Sequence, residues 1–327
     1  MPHDQAVGPV QLVGSGPGPA DLLTVRALRA IEGAEALLYD ALVAEEVIAL
    51  APAACVKIQT GKRAGRTSMA QDTINRLMLR LARRGLRVVR LKGGDPSIFG
   101  RVGEERAFLE AHGVATQVVS GVTAASAAAA QFGFPLTHRG EARRLLIATA
   151  TLTAGALAED GWVAAADPQT TLALYMGRDQ IAAVAERLTE RGRSAATPAI
   201  AVENAGYPEA RVIASTLGGL AQAVAAAAPT GPVVLLIGEV AARAAATGVS
   251  DRQRRDHGLH DRPRFRPHLI VGRVLDRVVD QDIAGALHAQ RLALDLGGLG
   301  ELAGGDRDGG QALDLEPHSV VQTARRA

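Results

Sequence analysis

The sequence has one cysteine, little net charge and no apolar run of the roughly 18 residues that a membrane-spanning helix needs. Cys55 therefore has no partner for an internal disulfide, and one cysteine cannot by itself make a zinc site. The chain begins without a basic segment followed by an apolar one, so nothing indicates a signal peptide. These absences predict a cytoplasmic protein with no metal site and no membrane partner, in which Cys55 packs as an apolar residue of a strand.

The formal net charge is +2, which is too small to indicate a nucleic-acid partner. Arginine outnumbers lysine, and several arginines fall at or beside predicted strand ends and loops: Arg63, Arg66, Arg90, Arg101, Arg139, Arg143 and Arg144. Guanidinium groups bind carboxylates bidentately, so this distribution is typical of a site for a small polycarboxylate. A genome that favours arginine codons gives the same bias, and both explanations stay open.

Nearly half of the 327 residues (47%) are apolar, which is enough for one or two cores. From Val10 to Gln131, short apolar runs alternate with segments of helical spacing, the first of which predicts a helix from Ala20 to Ile31. Strands separated by helices are typical of a parallel sheet with helices on both faces. We therefore predict a first α/β domain over residues 1–137.

The second half of the chain predicts a different sheet. Five short apolar runs between Leu145 and Ile237 are predicted strands, and two of them, Ala199 to Val202 and Arg211 to Ser215, are close enough along the chain to form a hairpin. A hairpin added to parallel strands makes the sheet mixed. The prediction is a second α/β domain over residues 138–248, with the active site in the cleft between the two domains.

The tail, residues 249–327, has a different composition from either predicted domain. From residue 251 onward there is no lysine, five of the eight histidines occur there, and the apolar residues show little periodicity. This composition predicts a disordered extension rather than a packed domain. A segment translated from an unintended reading frame is the alternative, and no function is assigned to the histidines.

The segment from Val88 to Arg101 is the most informative in the chain, because an apolar strand runs directly into Gly93-Gly94-Asp95-Pro96. Glycines let backbone groups approach a ligand closely, and Asp95 places a carboxylate at the carboxyl end of the strand. Gly14-Ser15-Gly16-Pro17-Gly18, between a strand and a helix, is a second turn of this kind. Pro19 stands where a dinucleotide-binding turn has glycine, which disfavours a dehydrogenase.

Together with Tyr39-Asp40, Gly61-Lys62-Arg63-Ala64-Gly65 and Tyr175-Met176-Gly177, these motifs resemble the tetrapyrrole methylase family over about Gly8 to Arg243. The resemblance implies that S-adenosylmethionine is the methyl donor and that the chain forms a homodimer. It implies C-methylation of uroporphyrinogen III at two pyrrole positions, which gives precorrin-2 for cobalamin or sirohaem synthesis. It further implies a stand-alone methyltransferase, without the N-terminal module of fused sirohaem synthases.

The same resemblance implies roles for single residues. Asp40 is the implied proton acceptor and Lys62 the implied proton donor. Methyl transfer depends on in-line orientation, and a base is needed next, when the methylated macrocycle loses a proton. The candidates for binding the substrate carboxylates are Arg63, Arg101 and Arg139. The implied coenzyme-binding positions are Pro17, Gly93, Gly94, Asp95, Ile98, Thr123, Ala124, Met176 and Ala205.

The chain departs from the usual family pattern after Leu136-Thr137-His138-Arg139, where it reads Ile147-Ala148-Thr149-Ala150-Thr151 instead of a strand ending in Thr-Gly-His. Three alternatives therefore stay open: a methylase of a later precorrin, a family member that modifies ribosomal RNA, and a non-catalytic ligand-binding relative. The small net charge and the Lys62 motif favour a tetrapyrrole over RNA.

Overall fold

The computed structural model of the chain describes residues 7–61, 69–150 and 159–244. Two predicted site residues, Lys62 and Arg63, and the whole predicted tail lie outside the described residues. No helix within the described ranges is long and apolar enough to cross a membrane.

The first half of the chain forms a five-stranded sheet in the order β3-β2-β4-β1-β5, and every neighbouring pair in it is parallel. Its strands are β1 (Val10–Gly14), β2 (Ala36–Tyr39), β3 (Val56–Gln59), β4 (Val88–Lys92) and β5 (Thr116–Val119). The prediction of a parallel α/β sheet is confirmed. Because all strands run the same way, the loops that follow them meet at one edge.

The second half forms a five-stranded mixed sheet in the order β6-β7-β10-β8-β9. Its strands are β6 (Arg144–Thr149), β7 (Thr170–Tyr175), β8 (Pro198–Glu203), β9 (Arg211–Thr216) and β10 (Val233–Ile237). The β6 and β7 strands are parallel, and β8 and β9 form the predicted antiparallel hairpin. Since β10 pairs antiparallel with both β7 and β8, the carboxyl ends of β7 and β8 lie at the same edge.

Eight α-helices lie in the described residues: α1 (Val25–Glu32), α2 (Glu45–Ala49), α3 (Gln71–Arg83), α4 (Val102–Ala111), α5 (Ala124–Gln131), α6 (Glu159–Ala166), α7 (Ile181–Glu190) and α8 (Leu220–Ala227). The predicted start of the first helix at Ala20 is wrong. A 3-10 turn occupies Ala20–Leu22, and Thr24 caps α1 by accepting a hydrogen bond from the Ala27 amide at 3.2 Å. The α6 helix has no counterpart in the sequence prediction.

Helices cover both faces of the second sheet. One face carries α6, α7 and α8, whose buried residues include Trp162, Leu188 and Leu220. The other face is covered by α5, where Ala125, Ala128 and Phe132 pack with Ile200 and Leu236 of the sheet. The α5 helix precedes the predicted boundary at residue 137 and yet packs on the second sheet. The domain boundaries themselves stay predictions.

Cys55 lies one residue before β3 rather than within a strand, and it packs in the core formed by β1, β2, α1 and α2. Its side chain is buried, and burial raises the pKa of the thiol to about 11. The apolar packing role predicted for Cys55 is therefore correct, while its predicted position in a strand is not.

We expect the Cys55 thiol to react slowly with a thiol-specific reagent at pH 8 in the folded protein and fast in denaturant. Both burial and the raised pKa keep the reactive thiolate scarce in the folded state. Because the chain has one cysteine, the rate of labelling reports this site alone. Equal rates with and without denaturant would show that the thiol is not buried.

Candidate active site

Three glycine-containing loops meet at the carboxyl edge of the first sheet. The Gly16 and Gly94 backbones exchange two hydrogen bonds, with N–O distances of 3.2 and 2.7 Å. A Cβ on Gly14 would lie 2.6 Å from the Gly94 carbonyl oxygen, and one on Gly121 would lie 2.2 Å from it. Glycine is thus needed at these positions for contact between backbones, a reason that adds to the predicted close approach of a ligand.

The Asp95 carboxylate holds this junction together. One of its oxygens accepts a hydrogen bond from the Ser97 amide at 2.8 Å and another from the Ser97 hydroxyl. The other oxygen accepts from the Gly121 amide at 2.9 Å, which ties the loop after β4 to the loop after β5. The Ile98 amide donates to the Asp95 carbonyl oxygen at 3.1 Å, which completes a tight turn. Asp95 therefore supports the predicted coenzyme loop through its own hydrogen bonds.

Asp40 follows β2 at the same edge of the sheet, and its side chain is 31% exposed. Its Oδ1 atom accepts a hydrogen bond from the Thr60 hydroxyl at 3.3 Å and a very short one from the Arg90 guanidinium. Arg90 lies two residues before the end of β4, beside a strand end as expected, and its side chain is only 2% exposed. It is an internal partner of Asp40.

A buried ionic cluster of Arg90, Lys92 and Glu105 underlies Asp40, and the half-buried amide of Gln71 bonds to it. Glu105 is fully buried, and its Oε1 accepts from Arg90 Nε at 3.1 Å, from Lys92 Nζ at 3.0 Å and from Gln71 Nε2 at 3.1 Å. Lys92 is 3% exposed, and both its burial and the nearby Arg90 charge lower its pKa from the usual value. Buried charges need partners, and each cation here has a carboxylate.

The periodicity of β4 explains how the cluster forms. Val89 and Leu91 point into the core with α1 and α2, whereas Arg90 and Lys92 point to the opposite face, towards α3 and α4. Two cations at alternate positions of an otherwise apolar strand are the sequence pattern that indicates this cluster.

A cavity of about 240 Å³ opens above this cluster. Its wall includes Thr60 and Met69, which are the lining residues nearest in sequence to residues 62–68. Arg101 also lines it and forms an ion pair with Glu104, with Nε 2.9 Å from Oε1. The described residues that line it are Asp40, Thr60, Met69, Gln71, Ile74, Arg90, Lys92, Phe99, Gly100 and Arg101. Arg139 is absent from this lining and lies in an exposed turn that the His138 and Ala142 backbones close.

The second sheet faces this edge through Tyr175 and Met176. The Tyr175 hydroxyl lies 2.6 Å from the Thr123 hydroxyl and accepts from the Ala125 amide at 3.0 Å. Its ring makes a tilted contact with the Phe99 ring, with 5.5 Å between the centroids. Met176 has a left-handed backbone (φ 53°) and a 57% exposed side chain. Met176 therefore follows directly after the residue that bonds to the start of α5, where Thr123 and Ala124 lie.

The loop after β8 meets the loop after β1. A Cβ on Gly206 would lie 3.0 Å from Pro17 Cγ, so these two loops are in van der Waals contact. Gln131 of α5 fixes the β8 loop by accepting from the Gly206 amide at 2.9 Å and donating to the Tyr207 carbonyl at 2.8 Å. Ala205 is buried in the core beside it. The described candidate coenzyme positions therefore all follow strands at the facing edges of the two sheets.

The chain thus has two α/β sheets whose glycine-rich loops meet at facing edges, with a cluster of charged residues at that edge of the first sheet. This arrangement is typical of proteins that hold a small ligand between two sheets. The sequence pattern described as Tetrapyrrole (Corrin/Porphyrin) Methylases matches residues 9–221. The chain belongs to this family, and the resemblance found in its motifs is confirmed.

Several relatives are similar to the chain over residues that cover about 70% of it. A siroheme synthase of Azotobacter vinelandii is 46% identical over 236 residues, 72% of this chain and 51% of the relative. A uroporphyrinogen-III C-methyltransferase of Paracoccus denitrificans is 43% identical over 238 residues, 73% of this chain and 83% of the relative. The chain thus spans about half the length of the siroheme synthases that it matches.

Solved structures support the same fold. The uroporphyrin-III C-methyltransferase of Thermus thermophilus, complexed with S-adenosylhomocysteine, has a TM-score of 0.61 at 40% identity, covering 71% of this chain and 98% of that one. A cobalt precorrin-4 methyltransferase has a TM-score of 0.65 at 27% identity, covering 71% and 95%. The predicted two-sheet α/β fold is confirmed.

Replacement of Gly121 by alanine tests the contact between glycine loops. The new Cβ would collide with the Gly94 carbonyl, so we expect Gly121→Ala to lower the free energy of unfolding by about 1–3 kcal/mol. Gly103→Ala is the control, because its Cβ meets nothing within 4 Å and it lies in α4, where alanine is favoured. Chemical denaturation of both variants measures the difference, and equal stabilities would argue against the close backbone contact.

Proposed function

We propose that the chain transfers methyl groups from S-adenosylmethionine to two pyrrole carbons of uroporphyrinogen III, giving precorrin-2. The observation that carries this proposal is the partly exposed Asp40 carboxylate, which lies in a cavity with Arg101 at the edge where both sheets present their loops. The Paracoccus relative that bears the name of this activity is matched over 83% of its length. Siroheme synthases match over a similar share of this chain.

The proposed reaction has two chemical requirements. An electron-rich pyrrole carbon attacks the sulfonium methyl, the carbon–sulfur bond breaks, and S-adenosylhomocysteine leaves with the electron pair. Proximity and in-line orientation supply much of the acceleration for such a step. The methylated macrocycle then carries a positive charge, which it loses when a base removes a proton from a bridging carbon or nitrogen.

Asp40 is the proposed base, because its carboxylate is exposed to the cavity while its Oδ1 is held by the Thr60 hydroxyl and by Arg90. Lys62 is the proposed proton donor, and its place in the proposal rests on the sequence, where it follows Thr60 by two positions. A base whose orientation is fixed before the substrate binds loses less entropy during the reaction.

The proposed substrate contacts are arginines that bind carboxylates. Arg101 lines the cavity with a 54% exposed side chain, and an anionic substrate would compete with Glu104 for its guanidinium. Arg63 and Arg139 complete the proposed set from the sequence alone. Uroporphyrinogen III carries acidic side chains on every pyrrole, which suits such a set.

The proposed coenzyme site is formed by the loops after β1, β4, β5, β7 and β8. Its residues are Pro17, Gly93, Gly94, Asp95, Ile98, Thr123, Ala124, Met176 and Ala205. The described geometry fits an adenosine with a methionine tail, because Met176 offers exposed apolar surface and Asp95 places a negative charge nearby for a sulfonium. The Thermus structure with S-adenosylhomocysteine supports this assignment by similarity. A cytoplasmic location and a homodimer are further parts of the proposal.

Methylation of a later precorrin is the second candidate. The strand β6 ends in Ala148-Thr149 and is followed by Ala150-Thr151, so it lacks the histidine usual in the family. A cobalt precorrin-4 methyltransferase also shares the fold at 27% identity. The assay below separates the two candidates, because only the first predicts two methyl groups on uroporphyrinogen III.

Anaerobic incubation with uroporphyrinogen III and S-adenosylmethionine should add two methyl groups to the macrocycle, as measured by mass spectrometry. We expect Asp40→Asn to slow the reaction about 100-fold or more, because an amide cannot accept the proton. Asp72→Asn is the matched control, since Asp72 is 61% exposed and pairs only with Arg76 along α3 in the described contacts. If the wild type binds the coenzyme and yet transfers no methyl group, uroporphyrinogen III is not the substrate.

The Met176 assignment predicts a specific loss of coenzyme affinity. Since Met176 is 57% exposed, Met176→Ala should leave the melting temperature nearly unchanged. It should weaken the binding of S-adenosylhomocysteine by roughly tenfold, through the loss of about 1.4 kcal/mol of apolar contact. Val163→Ala, at a position of α6 that is 61% exposed, is the control. Calorimetric titration of the three proteins decides, and unchanged affinity in the Met176 variant would remove this residue from the site.

A further inference from the structure

Glu105 is not among the described residues of the cavity wall, yet its carboxylate accepts hydrogen bonds from two charged residues of that wall, Arg90 and Lys92. It is fully buried in the first turn of α4. Its Oε1 accepts from Arg90 Nε at 3.1 Å, and both of its oxygens lie 3.0 Å from Lys92 Nζ. One carboxylate therefore fixes both cations of β4.

Arg90 transmits this constraint to Asp40. Its guanidinium donates through Nε to Glu105, through one terminal nitrogen to the Leu91 carbonyl at 3.3 Å, and through the other to Asp40 Oδ1. At 2% exposure it has no room to adopt another rotamer without breaking these contacts. The planar, rigid fork of donors makes the positions of the two carboxylates depend on each other.

From this geometry we infer that Glu105 is a positioning residue for Asp40, acting through Arg90. The inference rests on the proposed function, in which Asp40 removes the proton. Arg90 and Thr60 both hold Oδ1, and this fixes the rotation of the Asp40 carboxylate and hence the place of its second oxygen. If Glu105 lost its charge, Arg90 and Lys92 would face each other as two buried cations, and the Arg90 guanidinium would move.

Glu105→Gln tests the inference because it removes the charge at nearly constant size. We expect kcat to fall about 10- to 100-fold, as for a misplaced catalytic group. The KM for S-adenosylmethionine and the affinity for S-adenosylhomocysteine should change by less than about twofold. Glu110→Gln is the control, since Glu110 lies on the same helix, is 46% exposed and bonds only to Arg106 and Thr116 in the described contacts.

A double-mutant cycle with Asp40→Asn decides how Glu105 acts. If Glu105 works through Asp40, adding Glu105→Gln to Asp40→Asn should lower kcat by less than about twofold further. Single-turnover conditions with enzyme in excess keep the slow variants measurable. Arg90→Lys provides a second variant in case Glu105→Gln fails to fold. It keeps the buried positive charge but cannot bond both carboxylates, so it should show the same loss of kcat and the same dependence on Asp40.

Two results would overturn the inference. Losses that multiply in the cycle would show that Glu105 acts independently of Asp40, and a parallel loss of coenzyme affinity and kcat would show a general structural role. Failure of the wild-type chain to methylate uroporphyrinogen III is distinguishable from both, because it overturns the proposed function, and the positioning of Asp40 for that reaction falls with it.

Discussion

The buried carboxylate of Glu105 is the constraint on which the rest of the site depends. Four ionisable groups are linked by three ion pairs at the base of the cavity, and three of the groups, Arg90, Lys92 and Glu105, are almost completely buried. Removing such charges from water costs free energy that their mutual attraction often fails to recover, and apolar residues of similar size would stabilise a fold as well or better. The positioning role inferred for Glu105 gives this cluster a reason beyond stability, because the chain of contacts ends on Asp40 at the open edge of the sheet.

The glycine loops have a different role, which is to bring together the backbones that follow three strands separated along the chain. Gly14, Gly94 and Gly121 follow or end three adjacent strands, and any side chain on Gly14 or Gly121 would strike the Gly94 carbonyl. The Asp95 carboxylate then fastens two of these loops through the Gly121 amide. The loops together form a surface made of backbone groups and the Asp95 carboxylate. Such a surface can hold a ligand in a defined orientation, which in-line methyl transfer requires.

The sequence predicted the strands well because they are short apolar runs with clear turn signals between them, and β8 and β9 form the predicted hairpin. It misplaced the start of α1, because apolar spacing continues upstream of the Thr24 cap. It did not identify the role of Arg90, since the pattern of β4 alone does not tell which helix faces an alternate residue. The two carboxylate partners of Arg90, Glu105 and Asp40, lie 15 and 50 positions away from it in the sequence. Such pairings depend on the packing of the sheet, which spacing along the chain does not encode.

The two sheets contribute different parts of the site, and α5 connects them. The parallel sheet supplies the charged cavity, while the mixed sheet supplies Tyr175 and Met176. Because α5 packs on the mixed sheet and begins directly after the loop of β5, the bond between the Thr123 and Tyr175 hydroxyls joins the two edges at the proposed coenzyme site. The Phe99 ring, which lines the cavity, also rests on Tyr175. A displacement of the mixed sheet would thus alter the loops of the proposed coenzyme site and the cavity wall together.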